Sequence, residues 1–417
     1  HALQFRRCPG IPGGRFLSAL LTLEAALERI LASAAPKDDT TTVALMQASG
    51  RVLARSVVSP IDVPGFDNSA MDGYALRAAD AGMRLPVTQR VAAGAVAYSL
   101  VQGTAARIFT GAPMPKGADA VAMQENCRLE DGELLVNGKL CAGDNVRPRG
   151  QDITAGDTVL AAGRRLRPQD IGLLASIGLA QVEVRRALRV AVLSTGDELV
   201  EPGQAEPAAG QLYNSNRFTL AALLQGLGMS VVDCGIVPDD PEATASALRD
   251  AAGRADCVIS SGGVSVGDED HVKAQVERLG HLDLWKLAIK PGKPLAFGSV
   301  LNTPFIGLPG NPTSVFVTFC LIARPFLLKL QGVSEPQTPR FTARADFTVE
   351  RPADRQDYLR VTLENDPQGL LAKRFANQSS GVLRSVSSSN ALAIVPIGTS
   401  IAPGDMIEVI PLDSMLH

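Results

Sequence analysis

The sequence predicts a multidomain α/β protein with a parallel sheet at its centre. Three observations carry that reading. Between Arg189 and Leu330, apolar strand-like runs alternate with helical patterns, which implies a parallel sheet with right-handed crossovers. Residues 61–150 and 338–417 show short alternating runs broken by glycine, proline and polar turns, the texture of β-rich domains. The length of 417 residues suggests about three domains and is ample to bury cores without disulfide or metal staples.

Residues 1–17 follow no regular pattern and do not begin with Met. Arg6 and Arg7 before the run Phe16 to Leu23 loosely mimic a signal peptide, but Glu24, Glu28 and Arg29 interrupt it. Leu20, Leu23, Leu27, Ile30 and Leu31 recur at helical spacing, which predicts an amphipathic helix over 22–34. Helical periodicity returns over 168–178. The β-rich piece 61–150 therefore reads as an insertion in a helical domain made of 18–60 and 151–188, with the second helix packed beside the first.

In the α/β domain, 189–335, Arg189–Thr195 reads as a buried strand. The helix Asn216–Leu227 carries Leu220, Leu223, Leu224 and Leu227 on one stripe, and Gly228 supplies its stop. Strands follow at 230–237, 256–261 and 305–308, with helices at 241–252, 269–279 and 312–330. Pro294 to Ala323 carries no charge. Its prolines and glycines leave an uninterrupted run short of the roughly twenty residues a membrane span needs. It reads as a buried strand, a turn and a buried helix. The remainder, 336–417, predicts a small β-barrel or sandwich.

Composition narrows the function. Apolar residues make up 46% and charged residues 20% of the chain, as in a soluble globular protein. A net charge of −3 gives no global field to recruit nucleic acid or anionic membrane, so any anion site is local. The six cysteines form no C-x-x-C pair, and the four histidines do not cluster. This argues against a zinc finger, a zinc protease, a disulfide framework and His-based catalysis, and it fits a reducing cytoplasm.

Ligands of open parallel sheets bind beyond the C-terminal ends of the strands, and four unusual segments fall there. "LSTGDELV" (193–200) runs a strand into Ser194, Thr195 and Gly196, then Asp197 and Glu198. It suits a phosphorylated ligand with a bound cation or, more simply, a helix cap with solvated acids. "SSGGVSVGDED" (260–270) offers Ser261, Gly262, Gly263, Ser265 and Gly267, then Asp268, Glu269 and Asp270. Backbone N–H groups there approach an anion, and the acids either hold a cation or cap the next helix. "IKPGKP" (289–294) holds Lys290 and Lys293 on one Pro-Gly turn. Two neighbouring ammonium groups repel, so the arrangement favours a bound anion unless the turn faces solvent. In "LPGNPTSV" (308–315), Asn311 fits an N-cap before Pro312. Two further loops, "PGFDNSAMDGYA" (64–75) and "RPRGQD" (147–152), read either as turns or as ligand contacts through Asp67 and Asp152.

At these segments the chain resembles the MoeA family of molybdopterin molybdenumtransferases, which includes the E domains of plant Cnx proteins and of gephyrin. The matching strings are "FDNSAMDGYA", "TGAPMPKGAD", "VRPRGQDI", "LSTGDEL", "SGGVSVGDED", "WKLAIKPGKP" and "GLPGNPTSV", in family order across roughly residues 18–417. The resemblance implies a helical linker domain, an inserted β-rich domain, a MogA-like α/β domain that binds molybdopterin, and a C-terminal β-barrel. It implies an enzyme that inserts molybdenum from molybdate into adenylylated molybdopterin, releasing AMP, with Mg²⁺ assisting. It also implies a cytoplasmic homodimer whose clefts combine both protomers, with contacts to a MogA-like adenylyltransferase and to molybdoenzyme maturation proteins.

Carried over by motif, Lys290, Lys293, Ser265 and Pro294 contact molybdate, with Arg360 and Ser385 completing that site. Glu198 and Asp270 hold the metal at the pyrophosphate, and Asp239 lines the same cleft. Thr195, Gly196, Ser261, Gly262 and Gly263 bind the substrate. Asp67 and Asp152 approach from the partner protomer or the linker region. An adenylyltransferase or nucleotide pyrophosphatase on the same α/β domain, and a non-catalytic scaffold such as gephyrin illustrates, are the rival readings. No extra receptor-binding or MogA-like domain fits this length, which argues against a fused bifunctional protein.

Overall fold

The computed structural model describes residues 20–204, 206–263 and 271–416. They form two compact units. One holds the chain up to Thr41, Gly50–Val52 and everything from Arg185 onward; the other holds Thr42–Ser49 and Leu53–Val184.

A six-stranded sheet organises the first unit. Its order is Ser230–Val237, Arg189–Thr195, Cys257–Ser261, Thr303–Leu308, Pro294–Val300 and Gly280–Lys286. The first four strands run parallel. The last two run antiparallel and extend the expected parallel sheet into a mixed one. Leu301 and Asn302, both at positive φ, make the tight turn from Pro294–Val300 into Thr303–Leu308, as a two-residue hairpin requires. A leucine is an unusual occupant of that position, so the turn carries no recognisable signature. The expected buried strand, turn and helix over 294–323 are therefore two strands, their turn and a helix.

The parallel strands are apolar on both faces because both faces are covered. On one, Val190, Val192, Ile259, Ile306 and Leu308 pack with Leu220 and Leu224 of helix Ser215–Gly226 and with the helix beginning at Pro312. On the other, Ala191, Leu193, Val258 and Phe305 meet Leu248 of helix Pro241–Arg254 and Val272 and Val276 of helix His271–Leu279. The helix expected over 312–330 is interrupted by a π turn at Phe319–Ala323 between Pro312–Thr318 and Arg324–Leu330. Over its 19 residues it is apolar and long enough to cross a membrane, and nearly all of it is buried inside the fold. Helix Leu23–Ser33 buries Leu23, Ala26 and Ile30 in the same core, against Arg324–Leu330. Helix Pro168–Ser176, expected beside it, falls in the other unit, where Leu174 packs with Leu45, Leu53, Leu160 and Leu166.

Beyond this domain, Gln356–Asp366, Gly369–Arg374, Phe341–Ala345, Met406–Pro411 and Ala391–Val395 pair in that order, and the last returns to the first. The result is a closed barrel, not a sandwich, filled by Ala343, Leu359, Val361, Ala372, Ala393 and Val409. Closure removes exposed sheet edges. The pair Ile289–Lys290 adds in parallel to Gln356–Asp357 and ties the barrel to the α/β domain.

The second unit has its own six-stranded sheet, ordered Ala120–Met123, Gly73–Leu76, Ala105–Ile108, Leu85–Val91, Glu133–Val136 and Cys127–Glu130. It is the β-rich piece expected over 61–150. Ala75, Ala106, Ile108 and Val121 fill one side, and Leu76, Leu85, Ala105 and Leu134 the other.

One buried charge locks the base of the α/β domain. Asp256, 1% exposed, accepts from Arg186 Nη2 at 3.1 Å, from the Arg189 N–H at 2.8 Å and from Lys37 Nζ at 2.6 Å. Burial alone pushes a carboxyl up, but these donors outweigh it and hold Asp256 down at about 2. A depressed carboxyl contributes stability above its unfolded value of about 3.9, and that stability is lost as pH falls through about 2. Asp256→Asn is expected to cost about 3 kcal/mol at neutral pH, because Arg186 keeps its charge without a buried counter-charge. The variant should also show a flatter stability profile between pH 4 and 2 (roughly the interval between the two values), measured by urea denaturation at each pH.

Candidate functional site

A pocket of about 800 Å³ opens at one edge of the six-stranded sheet. Its walls are the segments that leave the parallel strands at their C-terminal ends: Thr195 with Gly196 and Glu198, Asp239, Gly262 with Gly263, and Pro309 with Gly310 and Asn311. The Lys290–Pro294 turn faces them across the same pocket. It reaches this edge because strand Pro294–Val300 is antiparallel to Thr303–Leu308. An antiparallel strand begins where its parallel-running neighbour ends, so the segment before it lies with the segments after the others. Arg355, Gln378, Ser379 and Ser380 close the pocket from the barrel, and His271 and Val272 from the helix that follows the serine-glycine loop.

The glycines in this wall answer a steric demand. Gly263 has φ +65°, and a Cβ there falls 2.5 Å from Val272 Cγ2 and 2.8 Å from Thr195 Oγ1. Gly263 fits between Thr195 and Val272 only without a side chain. Gly292, with φ +105°, presses its missing side chain toward buried Thr318, whose Oγ1 is 2.3 Å from the Cβ position. The lysine turn therefore rests directly on the helix beginning at Pro312.

The cations differ in what they already hold. Lys290 Nζ donates to Asp357 Oδ2 at 3.0 Å, across the register pair that joins the turn to the barrel. Lys293 is exposed, and its side chain makes no hydrogen bond or ion pair among the described residues. Its carbonyl accepts the Leu287 N–H at 2.7 Å, which fixes the turn's exit. Arg355 reaches the Ile289 carbonyl at 3.5 Å.

Most of the expected residues converge here. Thr195, Gly196, Glu198, Asp239, Gly262, Gly263, Lys290, Lys293 and Pro294 all line the pocket. Ser261 is buried one step behind, its Oγ 3.3 Å from Ser194 Oγ. Ser265 and Asp270 lie outside the described residues. Arg360 and Ser385 stand behind the wall and not on it. Both are fully buried, and Arg360 Nε donates to Ser385 Oγ at 3.1 Å. Arg360 Nη1 donates to the Tyr358 carbonyl at 3.1 Å and Nη2 to the Ser379 carbonyl at 3.4 Å. Burial pulls this guanidinium down to about 10, against the nearby Asp357.

Asp67 and Asp152 belong to the second unit. There Asp67 accepts the Arg149 N–H at 2.7 Å, and the Asp152 N–H donates to the Val63 carbonyl at 2.9 Å. Asn311 precedes its helix as expected, but its side chain does not cap it. Its amide instead donates to Ser380 Oγ at 3.1 Å, and the Thr313 N–H donates to the Ser380 carbonyl at 3.0 Å. These bonds hold the barrel loop 378–380 against the sheet edge.

Sequence reasoning missed Arg355, Gln378, Ser379, Ser380 and His271. No local signal marks the first four, which come from a region read only as alternating strands. His271 was set aside because the histidines do not cluster.

Three family models match in order along the chain: the MoeA N-terminal region, domains I and II, over residues 21–178; the probable molybdopterin binding domain over 191–329; and the MoeA C-terminal region, domain IV, over 342–412. A molybdopterin molybdenumtransferase of Haemophilus influenzae is 39% identical over 95% of this chain and 100% of its own length. The chain belongs to the MoeA family. A molybdopterin molybdenumtransferase of Nostoc is also 39% identical, over 90% of this chain and 89% of its own. A MoeA crystal structure from Pyrococcus horikoshii superposes with a TM-score of 0.82 at 29% identity, covering 94% of this chain and 100% of that one. MoeA membership accounts for the order of pieces in this chain: β-rich insertion, α/β domain, barrel.

Replacing Gly263 with alanine is expected to cost about 1–3 kcal/mol, through a positive φ and a clash with Val272. Urea denaturation of the variant beside wild type checks it.

Proposed function

We propose that this MoeA-family enzyme acts in molybdenum cofactor biosynthesis, inserting molybdenum from molybdate into adenylylated molybdopterin and releasing AMP. The observation that carries the reading is the shared pocket: the two lysines of residues 290–293 face Gly262 and Gly263 across one cleft, beside Glu198 and Asp239. A small tetrahedral dianion needs cations and N–H or O–H donors within one cavity. The lysine turn, the glycine loop and Ser379 and Ser380 supply them.

The carboxylates suit the other half of the reaction. Mg²⁺ is bound through one or two carboxylates, with substrate phosphates and water completing its shell. Glu198 and Asp239 offer such oxygens at the pocket edge, and Asp270 is the further candidate. Among the described residues, no group of three or more metal-ligating side chains is assembled. When bound, Mg²⁺ offsets the charge of the pyrophosphate and favours departure of AMP. The chain's own groups orient: the lysine turn holds the oxyanion, the backbone of Gly262 and Gly263 leaves room for a phosphate, and Thr195 stands at the strand end between them. Arg360 and Ser385 support the barrel loop that carries Ser379.

In the same reading the working unit is a cytoplasmic homodimer. Asp67 and Asp152 then come from the second copy of the chain, and the adenylylated substrate comes from a MogA-like adenylyltransferase.

Lys293→Gln is expected to lower molybdate-dependent AMP release by about 100-fold, the size typical for one preorganised charge donor, with melting unchanged. AMP release from adenylylated molybdopterin, followed against molybdate concentration, checks it. Nucleotide cleavage indifferent to molybdate, in wild type and variant alike, would favour a pyrophosphatase and sink the insertion reading.

A further inference from the structure

We propose that Asn216 is a positioning residue of the pocket: its side-chain amide sets the plane of the Gly310–Asn311 peptide, so that the Asn311 N–H is presented to a phosphate oxygen of the substrate. The proposal rests on the phosphorylated substrate of the reading above and adds to it a residue behind the pocket wall.

The contact itself comes first. Asn216 Nδ2 donates to the Gly310 carbonyl at 2.7 Å, joining helix Ser215–Gly226 to the segment that leaves strand Thr303–Leu308. Gly310 and Asn311 line the pocket, and Asn216 stands behind them. The Gly310 carbonyl and the Asn311 N–H belong to one trans peptide, in which the two groups point opposite ways. Holding the carbonyl toward the helix turns the N–H away from it, to the pocket side. That N–H has no partner among the described residues.

The peptide is anchored beyond Asn311 but not before it. Asn311 Nδ2 donates to Ser380 Oγ at 3.1 Å, and the Asn311 carbonyl accepts the Val315 N–H at 2.9 Å. A glycine in front leaves the plane free to turn over, and the bond from Asn216 removes that freedom. Gly310 also packs on the glycine loop: a Cβ on it would sit 3.9 Å from Gly262 Cα. The donor so fixed opens beside the backbone that the reading assigns to a phosphate.

Asn216 holds this orientation at a cost to itself. Its Oδ1 is buried with no partner among the described residues, and an unpaired buried acceptor is destabilising. Turning the amide over would set that oxygen against the Gly310 carbonyl, so the side chain is oriented for Gly310 alone. The helix has other supports: Asn214 caps it by accepting the Arg217 N–H at 3.2 Å, and Leu220 and Leu224 anchor it in the core.

Isothermal titration of the full chain with sodium pyrophosphate, and separately with sodium molybdate, tests this on wild type, Asn216→Asp and Asn216→Ala. Asn216→Asp keeps the size but sets an oxygen against the carbonyl, and is expected to weaken pyrophosphate about 10- to 50-fold. Asn216→Ala only frees the plane and should weaken it about 3- to 10-fold. The alanine variant adds no charge, so repulsion of the anion is not the source of its loss. Molybdate, assigned to the lysine turn, should bind both variants within about twofold of wild type, and an acid in the first helical turn should keep Asn216→Asp within about 2 °C in melting. Wild-type pyrophosphate affinity in either variant overturns this inference and leaves the reading intact. A wild-type chain that binds no pyrophosphate overturns the phosphate half of the reading and this inference with it. Equal losses for both anions, or losses that follow the melting temperature, make Asn216 a packing residue and refute positioning. If Asn216→Asp melts early, Asn216→Ala decides: a loss confined to pyrophosphate at normal melting supports the inference, and any other result refutes it.

Discussion

Two ammonium groups on one short turn repel each other, and the α/β–barrel unit is arranged around that repulsion. Asp357 of the barrel relieves half of it by pairing with Lys290. The other half is left toward an open pocket walled by strand ends, flexible glycine backbone and hydroxyls. The turn has little freedom to relax otherwise. Gly292 rests against Thr318, the Lys293 carbonyl is tied to Leu287, and Ile289–Lys290 is fixed in the barrel's register. A positive site this constrained costs little further reorganisation when an anion enters, which is the condition for binding energy to be directed at chemistry.

That arrangement explains why the barrel belongs to the site. Its strand Gln356–Asp366 supplies the counter-charge to Lys290 and begins beside Arg355, while its loop 378–380 closes the pocket. Asn311 and Thr313 clasp that loop at Ser380. The α/β sheet thus gives the floor and the barrel gives a wall, and neither has all the donors alone. The acidic side, Glu198 and Asp239, comes wholly from the sheet. Acids and cations thus line one pocket from different parts of the unit: Glu198 and Asp239 from segments after the strands, Lys290 and Lys293 from the turn before Pro294–Val300.

Much of this was legible in the residues. Residues 190–193 and 257–259 are buried on both faces and so read as apolar runs. The rule that ligands sit beyond such strands placed Thr195, Glu198, Gly262 and Gly263 together before any coordinates. What was lost has identifiable causes. Strands Gly280–Lys286 and Pro294–Val300 lie at one side of the sheet, where burial is partial and the pattern is weak. The hairpin between Val300 and Thr303 uses Leu301 where Asn or Gly would have announced it. Arg360 on its strand and Ser385 on the short helix Leu383–Ser387 have the right chemistry, but spacing cannot tell a buried position from one facing the cleft. Gln378, Ser379 and Ser380 reach the pocket only through closure of a barrel, a long-range event that no local pattern records.

The chain path has a consequence for how the protein is made. Helix Leu23–Ser33 precedes the other unit in the chain, yet its apolar stripe is buried in a core that includes Arg324–Leu330, which follows that unit. Between them the chain builds nearly all of the other unit, which has cores of its own. That unit is free to collapse during translation while the first helix stays uncovered, and contacts so distant in sequence form slowly. The buried face of the first helix, Leu23, Ala26 and Ile30, thus waits for sequence nearly three hundred residues downstream before its core is complete.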